Sequence, residues 1–244
     1  MDKLFVPGGP ALYFGSLIHE AMESIMVGEE FSDETFDSNL KLKTIEFANA
    51  IRRVHNIPFK KKLQPQLDEA HIKKMLVNGK LLLNAIRNYD WPGETVAIEE
   101  QIYENLTENK KFKGYIDWIY KEGDIYHIVD FKTSGKGWSP WFRKSSTYKT
   151  KEYQLLLYKY FYSIAHDIPL DKIKTKYVLL KWGLKSNQIE TIEVSSTERK
   201  IKKAVAAVKN AAVMLMTENR SIIKNRAACK FCPFEDTQYC TKYG

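Results

Sequence analysis

Residues 111–134 read KFKGYIDWIYKEGDIYHIVDFKTS, and the architecture of the chain is best understood from this stretch. β-Branched and aromatic residues run on both sides of Lys121-Glu122-Gly123-Asp124, a segment that contains a glycine between two acidic residues. Two such runs separated by a short turn are typical of a β-hairpin. The pattern therefore predicts neighbouring strands over 111–121 and 124–132.

The segments on either side of this hairpin give the rest of the fold. The N-terminal third has apolar residues at helical spacing, and Trp91-Pro92-Gly93 ends that pattern. A strand near 96–103 then precedes the hairpin. A helix, two strands and a final helix follow, over 148–165, 173–183, 187–194 and 196–217. This order predicts a mixed α/β (α+β) fold, with a central mixed sheet of about five strands flanked by helices.

Charge is distributed unevenly along the chain. The 38 lysines and arginines exceed the 30 aspartates and glutamates, which gives a net charge of +8. Residues 1–40 hold eight acids and one base, so the rest of the chain carries +15. Such polarity favours a basic face that contacts a polyanion, although a solvated lysine-rich surface gives the same composition.

Composition also excludes some protein classes. No apolar run is long enough to span a bilayer, and no signal peptide opens the chain, so we expect neither a secreted nor a membrane protein. Three cysteines is an odd number, which argues against a disulfide framework and indicates a reducing compartment such as the cytoplasm.

The hairpin carries the residues with the most distinctive chemistry. Asp117 and Asp130 lie on its two strands, and alternation places Lys132 on the same face as Asp130. Two carboxylates and an ammonium at one point of a sheet are suited to Mg²⁺ or Mn²⁺ and to the hydrolysis of a phosphodiester. The alternative is an ordinary surface ion pair. Asp130 follows the apolar residues Ile128 and Val129, however, and an unpaired buried carboxylate is costly.

Four separated motifs complete this pattern. They are Gly15-Ser16-Leu17-Ile18-His19-Glu20-Ala21-Met22-Glu23, Gly114-Tyr115-Ile116-Asp117, Val129-Asp130-Phe131-Lys132-Thr133 and Gln154-Leu155-Leu156-Leu157-Tyr158. In this order they resemble the PD-(D/E)xK nuclease superfamily, and specifically its RecB-like branch, which includes CRISPR-adaptation nucleases and phage exonucleases. The resemblance implies a restriction-endonuclease-like core within a single nuclease domain over 1–222. Its parts would be a helical region 1–92, a catalytic core 93–195 and a C-terminal helix 196–218, with a cysteine-containing tail 223–244 packed on the core.

The resemblance also implies roles for individual residues. His19, Asp117, Asp130 and the backbone carbonyl of Phe131 would bind Mg²⁺ or Mn²⁺, and Lys132 would be the catalytic lysine. A glutamate of the first strand usually completes such a site. Glu99 and Glu100 are both available, and we prefer Glu99.

The helical residues of these motifs have ordinary alternative interpretations. Without the motif, His19 would more simply be a core or capping residue. Gln154 and Tyr158 lie four residues apart and therefore share one face of a helix. In the nuclease interpretation this face is directed at the catalytic lysine or DNA. In the ordinary interpretation it is a boundary between core and solvent.

A basic segment directly follows the catalytic strand. Residues 132–151 hold six bases and no acid, with aromatic residues between them. Bases interleaved with aromatic rings can follow phosphates and stack on unpaired nucleotides. We therefore predict one wall of a DNA channel here, the alternative being a partly disordered surface loop. The predicted nucleic-acid-binding residues are Lys136, Trp138, Trp141, Arg143, Lys144, Lys149 and Lys151.

The three cysteines lie together near the end of the chain. Cys229, Cys232 and Cys240 have the spacing of metal ligands. Many RecB-like nucleases hold a 4Fe-4S cluster with three such cysteines and a fourth that precedes the core. No cysteine precedes Cys229 here. Three states therefore stay open: a cluster with an unidentified fourth ligand, a zinc site, or thiols without metal.

The function that follows is a divalent-metal-dependent DNA nuclease. The resemblance favours an exonuclease acting on DNA ends or single strands in recombination, repair or phage DNA processing, in the cytoplasm of a bacterial, archaeal or phage-infected cell. The resemblance also allows for a helicase or a recombination protein as a partner. The first alternative is a structure-specific or nicking endonuclease with the same site. The second is a catalytically silent DNA-binding subunit.

Overall fold

A computed structural model of the protein describes residues 8–54, 60–61, 63–216 and 232. The helices are α1 (Pro10–Met26), α2 (Asp33–Ile51), α3 (Glu69–Arg87), α4 (Pro140–Arg143), α5 (Ser146–His166) and α6 (Glu198–Met216). The strands are β1 (Glu94–Thr107), β2 (Lys110–Glu122), β3 (Ile125–Ser134), β4 (Ile173–Lys181) and β5 (Ile189–Glu193). Short 3₁₀ turns span Gln64–Leu67 and Leu170–Lys172.

The chain divides into two compact units. The first comprises the described residues of Met1–Ile18, Phe31–Lys80 and Ser221–Gly244. The second comprises His19–Glu30 and the described residues of Leu81–Arg220. Every residue of the candidate site described below belongs to the second unit.

Helices form the first unit, as the apolar spacing of the N-terminal third predicts. Ser32 caps the start of α2, since its hydroxyl accepts a hydrogen bond from the Thr35 N–H at 3.0 Å. Buried apolar side chains then hold the helical segments together through a cluster of Phe47, Ile51, Val54 and Leu63.

A five-stranded mixed sheet forms the centre of the second unit, in the order β1-β2-β3-β4-β5. Neighbouring strands are antiparallel except for the parallel pair β3 and β4, which α5 connects. This architecture confirms the predicted mixed sheet flanked by helices.

The predicted hairpin is the β2–β3 pair. Glu122 pairs with Ile125, so the turn consists of Gly123 and Asp124. Gly123 has a φ of 56°, a left-handed conformation that favours glycine. The turn thus falls within the predicted four-residue segment.

The second unit buries the apolar face of α5 against the sheet. Leu155, Leu156 and Phe161 are almost fully inaccessible to solvent, and they share one core cluster with Ile119 and Ile128 of the hairpin. Because α5 covers this face, polar side chains on the same face are removed from bulk water. Asp130 is one of them.

Candidate active site

The site lies in a fork between β2 and β3. The ladder between these strands ends at the pair Trp118 and Val129. Beyond it, β2 continues to pair with β1, whereas β3 continues to pair with β4. The carboxylate of Asp117 lies in the gap, where its Oδ2 accepts a hydrogen bond from the Phe131 N–H at 2.7 Å. A side chain thus replaces the backbone partner that a continuing ladder would supply.

Asp130 and Lys132 form an ion pair on β3. The Asp130 side chain is fully buried, and the Lys132 Nζ lies 2.5 Å from its Oδ2. Asp130 Oδ1 has no hydrogen-bond partner among the described residues. Burial raises the pKa of Asp130, while Lys132 and Lys151 oppose that shift. The arrangement leaves a desolvated oxygen available to a cation.

The surroundings of Asp117 also disfavour the ionised form of its carboxyl group. Burial is the main cause that raises the pKa of Asp117, to about 8, and repulsion from Asp130 adds to it. The hydrogen bond from Phe131 and the charge of Lys132 act in the opposite direction. Two carboxyl groups that each resist ionisation in the absence of a cation are a common feature of functional sites.

Glu99 lies beside these aspartates on β1. Its φ of 50° is unusual for a strand residue other than glycine, and such a conformation costs about 1–3 kcal/mol. Burial raises the pKa of Glu99, and Asp130 contributes to the shift. Glu100 is placed differently, because its carboxylate pairs with His166 Nε2 at 3.3 Å. The placement favours Glu99 over Glu100 as a site residue.

Glu23 of α1 is a neighbour that the sequence reasoning did not assign to the site. Its carboxyl hydrogen-bonds with that of Glu99, and this bond raises the pKa of Glu23 while it lowers the pKa of Glu99. Burial is the main cause that raises the pKa of Glu23, and the hydrogen bond with Glu99 adds to that shift. The signal in the sequence is the spacing from His19, since residues four apart lie on the same face of a helix.

His19 contacts Asp117 and Phe131. Its Nδ1 lies 3.6 Å from Asp117 Oδ2, and its ring meets that of Phe131 edge-on. Burial lowers the pKa of His19 to about 4, with a further contribution from Lys132, while a hydrogen bond with the Phe131 backbone opposes the shift. The imidazole is therefore neutral at pH 7, which is the form that binds metals.

Tyr158 of α5 lies near Asp130 and Asp117, and Gln154 contacts Tyr158. Gln154 Nε2 donates a hydrogen bond to the Tyr158 hydroxyl at 3.1 Å. Burial raises the pKa of Tyr158, and so do the charges of Asp130 and Asp117. The Tyr158 ring also crosses the strand at Gly114, where an added Cβ would lie 2.5 Å from Tyr158 Cε1. Glycine at this position therefore lets the helix approach the strand.

A family model of the PD-(D/E)XK nuclease superfamily matches residues 6–238. The chain belongs to this superfamily. Its members are nucleases, so phosphodiester hydrolysis is the chemistry that the family assigns to the chain. The match confirms the superfamily that the four motifs predict, while the RecB-like branch stays a prediction.

Two solved structures are similar to this nuclease-superfamily chain at low identity. The crystal structure of SSO0001 is 19% identical, with a TM-score of 0.37, over 75% of this chain and 78% of that one. A protein named "Putative exonuclease" from Eubacterium rectale is 16% identical, with a TM-score of 0.42, over 84% of this chain and 71% of that one. At these TM-scores we draw no argument from either. No curated protein matches the chain.

PD-(D/E)XK nucleases typically use Mg²⁺ or Mn²⁺, and the donor types in the fork fit such a cation. Two carboxylates, a neutral imidazole and a backbone carbonyl are available, and Asp130 Oδ1 lacks a partner. Within the described ranges, no three His, Cys, Asp or Glu side chains form a ready-made metal site. The donors are instead paired with Lys132 and with the Phe131 backbone, and a cation would compete with these contacts.

The basic segment after β3 is more ordered than a loop. It contains the short helix α4, which the sequence analysis missed, and Ser139 caps this helix by accepting a hydrogen bond from the Phe142 N–H at 3.1 Å. Trp141 is 83% exposed. Trp138, in contrast, borders the hydrophobic core, and its ring packs edge-on against Tyr177 with centroids 5.0 Å apart.

The basic residues that we predict to contact DNA differ in their surroundings. Arg143 Nη2 donates to Glu190 Oε1 at 2.7 Å, and the Lys144 ammonium lies over the Trp141 ring. Lys151 is half-buried beside Asp130 and Lys132, and burial lowers its pKa. Lys136 and Lys149 are exposed. The predicted roles of all these residues in nucleic-acid binding stay predictions.

Two further predictions lie partly outside the described residues. Cys229 and Cys240 of the cysteine tail are not among them, and Cys232 alone is described. A metal held by this tail therefore stays a prediction. Where the chain is described, none of its helices combines the length and apolarity needed to cross a bilayer.

Proposed function

We propose that the protein is a divalent-metal-dependent deoxyribonuclease of the RecB-like kind, acting on DNA ends or single strands. The observation that carries this proposal is the buried Asp130 carboxylate, which is paired with Lys132 and lies beside Asp117 in the fork. A buried carboxylate without a hydrogen bond on one oxygen is costly unless a cation or a reacting group uses it.

The metal-binding role falls to His19, Asp117, Asp130 and the Phe131 carbonyl, and Glu99 completes the set. Bound Mg²⁺ or Mn²⁺ supplies positive charge to the scissile phosphate and acidifies the attacking water. His19 contributes as a neutral ligand at pH 7, because burial lowers its pKa to about 4. Burial is the main cause that raises the pKa values of Asp117 and Asp130, and a bound cation would offset that cost.

Lys132 has a role separate from metal binding. Its ammonium pairs with Asp130, while its side chain is 25% exposed. A fixed positive charge there orients the attacking water and stabilises the charge that develops on the phosphate. Tyr158 and Gln154 of α5 hydrogen-bond to each other.

The basic segment supports DNA as the substrate. Exposed Lys136, Trp141 and Lys149 follow the catalytic strand, where they offer charge and a stacking surface to a strand that enters the site. We place this activity in the cytoplasm, in recombination, repair or phage DNA processing, where a helicase or recombination protein would supply the DNA ends.

The test is incubation of the full chain with linear and circular DNA, single- and double-stranded, in Mg²⁺ or Mn²⁺ or in EDTA. We expect cleavage of linear substrates that requires the metal and is lost in Asp130→Asn. The matched control is Asp124→Asn, which changes an aspartate whose side chain is 86% exposed. Cleavage by Asp130→Asn at the wild-type rate would refute the site, and cleavage of closed circles would replace the exonuclease with an endonuclease.

A further inference from the structure

The β1–β2 hairpin presents an exposed face beside the site. Exposed side chains alternate with covered ones over residues 101–106 of β1 and 111–116 of β2. We call this surface the outer hairpin face. It consists of Gln101, Tyr103, Asn105, Lys111, Lys113 and Tyr115.

Two tyrosines dominate the outer hairpin face. Tyr103 is 53% exposed and Tyr115 is 42% exposed. The Lys111 ammonium lies 4.4 Å from the Tyr103 ring centroid, and the Lys113 ammonium lies 5.3 Å from that of Tyr115. Two exposed rings are thus each accompanied by a mobile positive charge.

The face carries positive charge without any carboxylate. Its other members, Gln101 and Asn105, are neutral, and Tyr115 hydrogen-bonds to Gln101 at 3.4 Å. Glu104 pairs with Phe112 and so belongs to the opposite side of the hairpin. That opposite side packs on α5, where Phe112 stacks on Phe161 with ring centroids 4.4 Å apart. The hairpin is therefore anchored on one side and open to a polyanion on the other.

The outer hairpin face is continuous with the site through strand β2. Tyr115 precedes Asp117 by two residues, which corresponds to about 7 Å along a strand. The Tyr115 backbone also hydrogen-bonds with Tyr158, a wall of the site. A strand lying on Tyr103 and Tyr115 would therefore end within about 7 Å of Asp117 along β2.

We propose that the outer hairpin face binds single-stranded DNA and guides it to the fork. Bases stack on the Tyr103 and Tyr115 rings, and Lys111 and Lys113 move from the rings to the adjacent phosphates. This surface deepens the proposed function, on which it rests, because it selects an unpaired strand as the substrate of the same site. Duplex DNA does not fit, since its bases already stack on one another and present no free face to a flat sheet.

The test measures DNA binding without cleavage. Fluorescence anisotropy of labelled dT20 is followed with the full-length protein in EDTA at low salt, and a duplex of the same length serves for comparison. We expect Tyr103→Ala with Tyr115→Ala to weaken dT20 binding by about tenfold or more per tyrosine, while Tyr103→Phe with Tyr115→Phe retains it, because the ring and not the hydroxyl stacks. Circular dichroism confirms that the exposed substitutions leave the fold unchanged.

The salt dependence of dT20 binding tests the contribution of the lysines separately from that of the tyrosines. Lys111→Gln with Lys113→Gln should reduce the slope of log affinity against log salt by about 0.7 per lysine, as expected for single strands. The exposed Lys43, which pairs with Glu46, gives the control Lys43→Gln, with an unchanged slope. Unchanged slopes in the double lysine variant would remove phosphate binding from the proposal.

The outcomes for this surface and for the nuclease site are distinguishable. Wild-type affinity of the double alanine variant for dT20, or an equal loss on the duplex, overturns the stacking surface even if the protein cleaves DNA. Weakened dT20 binding by a protein that cleaves no DNA in Mn²⁺ supports the surface and refutes the proposed nuclease activity.

Discussion

The Asp117 carboxylate accepts a hydrogen bond from the Phe131 backbone N–H at 2.7 Å, just beyond the last pair of the β2–β3 ladder. This contact has two consequences. It satisfies a backbone donor where the strands separate, and it fixes one carboxylate next to the buried Asp130. The same feature of the sheet therefore ends the ladder and assembles the acidic part of the site.

The first prediction concerns Asp117→Asn, which should stabilise the metal-free protein. Burial raises the pKa of Asp117 to about 8 from an ordinary value of 3.8. Between these values the folded protein holds a proton that the unfolded chain releases, so the free energy of unfolding falls as pH rises. Asparagine keeps an acceptor for the Phe131 N–H but carries no charge. Urea unfolding in EDTA should show a gain that is larger at pH 8 than at pH 5.

A matched control separates this effect from a general loss of negative charge. Asp124 is exposed, and Asp124→Asn should change the free energy of unfolding little at either pH. A gain for Asp117→Asn that is equal at both pH values would contradict the assignment of the raised pKa.

The second prediction concerns Gly114, where α5 approaches the sheet. In Gly114→Ala the new Cβ would lie 2.5 Å from Tyr158 Cε1, so the ring must move away from the site. We expect a loss of about 1–3 kcal/mol in the free energy of unfolding, as is typical of overpacking, together with weaker cleavage. At Gly135 an added Cβ meets nothing within 4 Å, so Gly135→Ala is the control. Equal effects at the two glycines would refute the close approach.

The third prediction separates the two tryptophans of the basic segment. Trp138→Ala should lower the free energy of unfolding by about 2 kcal/mol or more, because its ring packs on Tyr177 at the edge of the core. Trp141→Ala should leave stability unchanged, since its side chain is 83% exposed, and should weaken binding of single-stranded DNA instead. Chemical unfolding and anisotropy measure the two effects. Destabilisation by Trp141→Ala of similar size would contradict this division.

The order of the strands and main helices along the chain could be predicted from the sequence because it follows from local periodicity. Alternating residues around Gly123 define the β2–β3 hairpin, and helical spacing from Tyr153 to Phe161 defines α5. The helix α4 also had a local signal that was missed, because Ser139-Pro140 is a typical helix start.

The details of the site were harder to predict from the sequence, because they depend on contacts between distant segments. No local pattern reveals that Trp118 and Val129 form the last pair of the ladder, or that Glu99 adopts a φ of 50°. The position of Trp138 is a similar case. It belongs to the basic segment 132–151, whose composition suggests a DNA contact, whereas its ring packs on Tyr177, far along the chain. Composition cannot distinguish these two environments.

The fourth prediction concerns Glu23, whose proton is shared with Glu99. The hydrogen bond from Glu23 lowers the pKa of Glu99, which burial and Asp130 otherwise raise. Glu99 must lose its proton to bind a cation. We therefore expect Glu23→Ala to move the acidic limb of Mn²⁺-dependent cleavage to higher pH, because Glu99 then stays protonated over a wider range. Glu23→Gln keeps a donor at this position and should preserve the wild-type limb.

Glu20 provides the matched control for this prediction. It lies on the same helix three residues earlier and is exposed, and it acts on the Glu23 carboxyl through charge alone. Glu20→Ala should leave the pH profile of cleavage close to that of the wild type. If Glu20→Ala and Glu23→Ala shift the profile equally, the cause is the net charge of α1, and the hydrogen bond between Glu23 and Glu99 has no separate role. A shift confined to Glu23→Ala, and reversed in Glu23→Gln, assigns the effect to that bond.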